Sequence, residues 1–115
     1  MTHYMKLQAA PFAKIKSGEK SIELRLYDEK RQKIKAGDSI CFCSPDGETL
    51  TAAVTALHIF DSFEALYAAL PLEKCGYAPD EIPTASPADM LAYYTMEQIS
   101  RYGVVGIALE VCSGG

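Results

Sequence analysis

Residues 21–26 alternate without a break: Ile22, Leu24 and Leu26 are apolar, while Ser21, Glu23 and Arg25 are polar. A period of two is that of a β-strand with one face toward a core, so this segment is predicted to be a half-buried strand. Ahead of it, residues 3–7 read as a short first strand, and Pro11 opens a two-turn helix with Phe12 and Ile15 on one side and Gly18 as its stop. Behind it comes the charged stretch DEKRQKIKAGD, with Gly37-Asp38 as a turn. Residues 39–44 and 48–60 are then two β-rich runs joined by Pro45-Asp46-Gly47, a hairpin signal.

Helical spacing returns in Phe63, Leu66, Tyr67 and Leu70, with Ser62 as cap and Pro71 as terminator, which predicts a helix over 62–70. Residues 76–86 hold no period. Gly76, Pro79 and Pro83 make them a loop that is free to move or to cover something. Ser86-Pro87-Ala88-Asp89 combines a capping hydroxyl, proline at the first helical position and an acid in the first turn, predicting one helix that runs to about Arg101. Gly103 ends it, and residues 104–111 form a last strand with Val105, Ile107, Leu109 and Val111 on one face. Five or six strands and three short helices, without regular strand–helix alternation, predict an α+β fold: a small, mostly antiparallel β-barrel with flanking helices.

With 115 residues, 49% of them apolar, the chain suffices for one domain over residues 1–115 whose core needs no metal or disulfide staple. MTHYMKL lacks the apolar run of a signal segment, and no stretch approaches the roughly 18 apolar residues of a membrane span, so the expected place is the cytoplasm. Cys41 and Cys43 stand one residue apart while Cys75 and Cys112 are isolated, so no CxxC pair exists. Reduced, mostly buried thiols are expected, with Cys75, beside Gly76, the most exposed. His3 and His58 belong to no paired motif, and neither a metal nor a cofactor is expected.

A net charge of −4 excludes a protein that coats nucleic acid indiscriminately, because such binding rests on broad phosphate neutralisation. The distribution says more. Residues 14–35 carry eight basic groups against four acidic ones, and the rest of the chain three against eleven. Such asymmetry steers an anionic ligand toward one face.

Within that basic segment, Gly18 releases the chain into the strand, Lys20 sits at the strand's mouth, and Glu23 and Arg25 emerge on one face roughly 7 Å apart at the backbone. Arginine offers a planar fork for phosphate or a base edge, lysine a mobile charge, and glutamate an acceptor or general base. The same trio on an exposed strand is an ordinary surface ion pair, and spacing does not separate the two readings. Tyr27 shares the parity of Glu23 and Arg25 and is a candidate for stacking on a base; Tyr93, Tyr94 and Tyr102 of the last helix are weaker ones. Lys30, Arg31 and Lys33 are placed to meet phosphate from the loop that follows.

The run PFAKIKSGEKSIELRLYDEKRQKIKAGDSICF resembles the opening of ASCH domains, whose GxKxxExR signature is matched by Gly18, Lys20, Glu23 and Arg25. The IKAGD turn and the terminal YGVVGIALEV extend the likeness to the small stand-alone bacterial and archaeal members; residues 71–88 look particular to this chain. The resemblance implies a PUA-like barrel, a cleft between barrel and preceding helix, and RNA, a nucleotide or a nucleoside as ligand. The ligand-binding set is then Gly18, Lys20, Glu23, Arg25, Tyr27 and Arg31. Some relatives are amidohydrolases on acetylcytidine, with the signature lysine, a nearby threonine and a distant glutamate; others are associated with ribonuclease activity. Here Lys20 keeps the lysine position and Glu23 falls where those amidohydrolases carry threonine, so a hydrolase would use Lys20 and Glu23 as its catalytic pair. Glu64 and Glu73 are the candidates for the distant acid.

Overall fold

The computed structural model describes residues 1–112. Its elements are β1 (Thr2–Lys6), α1 (Ala9–Ser17), β2 (Ile22–Leu26), β3 (Ser39–Cys43), β4 (Thr49–Phe60), α2 (Phe63–Ala69), α3 (Met96–Tyr102) and β5 (Val104–Val111). Short 3-10 turns at Arg31–Lys33, Leu72–Cys75, Ile82–Thr84 and Pro87–Ala92 fill the connections. The strands form one sheet in the order β1-β3-β4-β5-β2, in which β1 and β3 are parallel and the other pairs antiparallel. It curls into a half-barrel with the helices flanking it, the predicted α+β class.

The curl has a local cause. β4 is twelve residues long and pairs with β3 at one end and with β5 along most of its length. A register shift between Val54 and Ala56 bends it, as an inserted residue does. Both faces of the sheet are covered. Val105, Ile107 and Leu109 of β5 join Phe12, Ile15, Ile40 and Phe42 in the core inside the curl. Val104 joins Ile22, Leu24, Leu26, Phe63, Leu66 and Ile99 in a second core beneath α2 and α3. β2 is therefore not half-buried as its alternation suggests: Glu23, on its polar face, is only 4% exposed.

Two further expectations are corrected. The helix predicted from Ser86 to about Arg101 is broken into the 3-10 turn Pro87–Ala92 and the separate helix α3. Thr95 starts α3 with its own capping box, its side chain accepting from the Gln98 N–H while Gln98 accepts from the Thr95 N–H. Cys75 is buried, not exposed; Cys112 is the exposed thiol. Burial raises the Cys75 thiol to a pKa of about 11, which keeps it protonated and unreactive at neutral pH. Among the described residues no helix is long and apolar enough to cross a membrane.

Gly103 links α3 to β5 with φ 72° and ψ −171°, a conformation almost confined to glycine. A Cβ there would lie 2.9 Å from the Phe60 carbonyl oxygen, which belongs to the sheet and has no room to retreat. Gly103→Ala is expected to cost about 2–3 kcal/mol, read as a lower urea midpoint at unchanged slope. A midpoint equal to that of the parent protein would show that the link relaxes freely.

The base of the sheet carries an acid-sensitive contact. Asp38 Oδ2 lies 2.9 Å from His3 Nε2 and accepts the Lys35 N–H at 3.0 Å, contacts that lower its pKa from 3.8 to about 2. A carboxyl depressed by folding stabilises the native state above its unfolded pKa, and that stabilisation is lost as pH falls through the folded value. Stability should therefore drop between about pH 4 and pH 2, and Asp38→Asn should flatten that part of the curve. An unchanged acid limb in Asp38→Asn would refute the assignment.

Candidate functional site

Gly18 closes α1 with left-handed backbone at φ 88° and turns the chain toward the sheet. The next residues are fixed by main-chain bonds: Lys20 N–H donates to the Lys14 carbonyl, Ser21 N–H to the Lys74 carbonyl, and Leu109 N–H to the Ser21 carbonyl. Lys20 thus enters the mouth of β2 at a defined height. Its Nζ lies 2.8 Å from Glu23 Oε1, while Arg25 Nε donates to Glu23 Oε2, also at 2.8 Å. The side chains are 11%, 5% and 15% exposed, so the carboxylate is desolvated and both cations hold only a narrow contact with water. Removing either partner of so buried a pair costs about 3–5 kcal/mol in comparable proteins, far more than a surface pair contributes. This is a built cluster, not a solvated strand face.

Arg25 has a further bond. Its terminal NH2 donates to the Lys6 carbonyl at 2.9 Å. β1 and β2 are the two outer strands of the sheet, so this guanidinium bridges the edges that a closed barrel would pair directly.

A cleft of about 790 Å³ opens at this seam. Its floor and one wall are Lys20, Glu23, Arg25 and the start of α1; the facing wall is Tyr67 of α2 with Cys75, Gly76, Tyr77, Glu81, Asp89, Tyr93 and Tyr94. The facing wall is tied to the first. Lys14 Nζ donates to the Gly76 carbonyl at 2.7 Å and stands 3.9 Å from Glu81. Gly76, at φ 106°, lies against the aliphatic stem of Lys20, and a Cβ there would come within 3.1 Å of Lys20 Cδ. Residues 76–86 therefore do cover something: their first part forms a side of the cleft.

The facing wall carries a polar chain of its own. The Tyr77 hydroxyl donates to Asp89 Oδ2 at 2.8 Å and lies 2.7 Å from the Tyr67 hydroxyl. Burial, and then its bonds to Tyr67 and Asp89, push the Tyr77 pKa far above that of a free phenol; burial also raises Tyr67. Asp89 is lowered, first by the Ser86 N–H and then by Tyr77. At neutral pH the chain is two neutral phenols and a carboxylate.

The structure brings together Lys20, Glu23, Arg25, Tyr93 and Tyr94 of the residues singled out in the sequence. It places the others elsewhere. Gly18 shapes the backbone and does not line the cleft. Tyr27 packs against the core inside the curl, because β2 ends at Leu26 and parity no longer applies beyond it. Arg31 pairs with Asp28 at 3.1 Å, with its buried Nε unbonded, and is not among the cleft residues; Lys30 and Lys33 lie in the same loop. Tyr102 contacts Glu29 at 3.4 Å. Glu64 and Glu73 do not line the cleft; its acids are Glu23, Glu81 and Asp89. Among the described residues no three His, Cys, Asp or Glu side chains group as a metal site.

Tyr67, Tyr77 and Asp89 were not legible as site residues. Tyr67 fills a place in an apolar stripe, Asp89 reads as a capping acid, and Tyr77 lies in a stretch without period. The available signal is chemical: a phenol on a buried stripe needs a partner for its hydroxyl.

Comparison with known proteins identifies the family and the fold. The ASCH-domain family matches residues 5–113. The crystal structure of the hypothetical protein PH0355 is 34% identical with a TM-score of 0.82, over 97% of this chain and 100% of that one. The solution structure of protein PF0455 from Pyrococcus furiosus is 32% identical with a TM-score of 0.72, over 98% and 99%. A mutant of the ASCH protein of Zymomonas mobilis is 12% identical with a TM-score of 0.67, over 95% and 67%, a likeness of fold alone. No curated protein matches. The family match runs from β1 past the end of β5 and takes in the signature strand with its buried glutamate, so the chain belongs to the ASCH-domain family and its curled sheet is PUA-like.

Proposed function

We propose that the cleft binds a nucleotide or single-stranded RNA, with Lys20 and Arg25 engaging phosphate or base and Glu23 fixing their orientation. The observation that carries this reading is the clamp on Glu23. A buried carboxylate holds two cations whose hydrogen-bonding capacity it does not exhaust. Lysine has three N–H donors and arginine five. Among the described residues Lys20 forms an ion pair with Glu23, and Arg25 commits two donors, to Glu23 and Lys6. The remaining donors belong to side chains on the cleft wall, as an anion or a base edge requires.

Two features agree. The cleft's volume lies within the roughly 300–1,000 Å³ of small-ligand sites. Its lining holds Lys6, Lys14, Lys20 and Arg25 against Glu23, Glu81 and Asp89, a basic excess on a chain of net charge −4. Tyr93, 69% exposed at the rim, offers a ring face for stacking.

Titration of short single-stranded RNA against increasing salt tests the proposal. Affinity should fall with a log–log slope of about −0.7 per phosphate contacted. Lys20→Ala should weaken binding about tenfold and flatten that slope by one contact, whereas Arg25→Lys, which keeps the charge but loses the fork, should weaken binding at unchanged slope. Isotherms identical to that of the parent in both folded variants would sink the proposal.

A second reading, hydrolysis of RNA or of a modified nucleoside, draws on the 2.8 Å contact between Lys20 and Glu23, which is within proton-transfer reach. Against it, Glu23's second oxygen is taken by Arg25, which suits an orienting carboxylate better than a free base. Incubation with short RNAs and acetylated cytidine decides: a product that vanishes in Lys20→Ala supports catalysis, and no turnover by the parent protein leaves the binder.

A further inference from the structure

The chain Tyr67–Tyr77–Asp89 has a direction, and the direction gives the cleft a second chemical property. Tyr77 has one proton and two neighbours able to receive it, the Tyr67 oxygen and Asp89 Oδ2. An ionised carboxylate is the stronger acceptor, so the proton goes to Asp89. The 2.7 Å contact between the phenols then requires Tyr67 to donate to Tyr77. Both protons are committed within the chain, and the two phenol oxygens retain only lone pairs for a ligand.

The cations of the first wall have the reverse polarity. Lys14, Lys20 and Arg25 carry donors and no acceptors, and the carboxylate among them, Glu23, has each oxygen engaged by a cation. A ligand that satisfies both walls presents acceptors, such as phosphate oxygens, on one side and a donor group on the other.

We propose that the Tyr67–Tyr77–Asp89 relay is a base-selecting wall, which prefers a nucleobase edge bearing an amino group, as in adenine or cytosine, over one bearing a keto oxygen. The inference rests on the reading of the cleft as a nucleotide or RNA site and names the base class that site takes. An amino group donates into the paired phenol oxygens. A keto oxygen in the same place sets lone pair against lone pair, and a site built for one hydrogen-bond polarity rejects the other.

Two matched nucleotide pairs isolate the amino-to-keto exchange: AMP against IMP, and CMP against UMP. Calorimetric titration should find each amino member bound about tenfold or more tightly than its keto partner. Tyr77→Phe removes the acceptor of the Tyr67 proton, leaving that hydroxyl free to donate into the cleft, so both ratios should fall toward one. Tyr67→Phe, which keeps the Tyr77–Asp89 bond, should lower the ratios by deleting one of the two acceptors; it also carries the test if Tyr77→Phe does not fold. Short oligo(A) against oligo(U) separates a strand ligand from a free nucleotide, since the preference should appear in whichever form binds more tightly. Equal binding within each pair, or ratios unchanged in both variants, would overturn the base-selecting wall and leave nucleotide binding standing. No binding of any mononucleotide or oligomer would overturn both.

Discussion

A carboxylate removed from water is the constraint around which this cleft is organised. Desolvating an ion costs several kcal/mol even after a protein relaxes, and Glu23 is tolerated at 4% exposure because each of its oxygens meets a cation at 2.8 Å. The requirement propagates outward. Lys20 must arrive at the mouth of β2, which fixes where α1 ends and how Gly18 turns the chain. Arg25 must lie back along its own strand, which leaves its terminal nitrogen facing β1. One buried acid thereby ties together the end of α1, the strand that carries it and the far edge of the sheet.

The same arrangement explains why a half-barrel holds its shape. A curled sheet that stops short of closure leaves two edge strands with unpaired backbone groups, ready to pair with other chains. Here the edges are β1 and β2, and a guanidinium spans them where main-chain bonds do not. The seam left open is the cleft. Arg25 is thus part of both features: its bond to the Lys6 carbonyl spans the seam, and its side chain lines the cleft that opens there.

Legibility in the sequence follows how local each feature is. The period of Ile22, Leu24 and Leu26, the Pro45-Asp46-Gly47 hairpin and the Ser62 cap are set by near neighbours, and the structure contains each. Glu23 and Arg25 are two apart on a strand, so their shared face followed directly, while the burial of that face did not, because the covering residues lie some fifty positions away. The long helix read from Ser86 failed for a local reason. The first turn stops at Ala92, and Thr95 with Gln98 begins a new helix with a capping box of its own, as Ser86 with Asp89 does for the first. Cys75 failed for a tertiary reason, being buried in the second core, whereas Tyr27 failed because it lies beyond the strand whose parity it was assumed to share.

Short turns in place of a long helix have a consequence for the cleft itself. Residues 71–94 descend as a series of 3-10 turns, a geometry that lets the chain change direction every few residues. They are pinned to the opposite wall at the Lys74 carbonyl, at the Gly76 carbonyl and along the Lys20 stem. Tyr77 follows directly after these anchors, so the height of the phenol pair above the cations is set by the backbone that positions Lys20. The phenol pair and the cations work together only when their separation is fixed. In this fold the anchor at residues 74–76 couples them, and a change that loosens it should disturb both polarities at once.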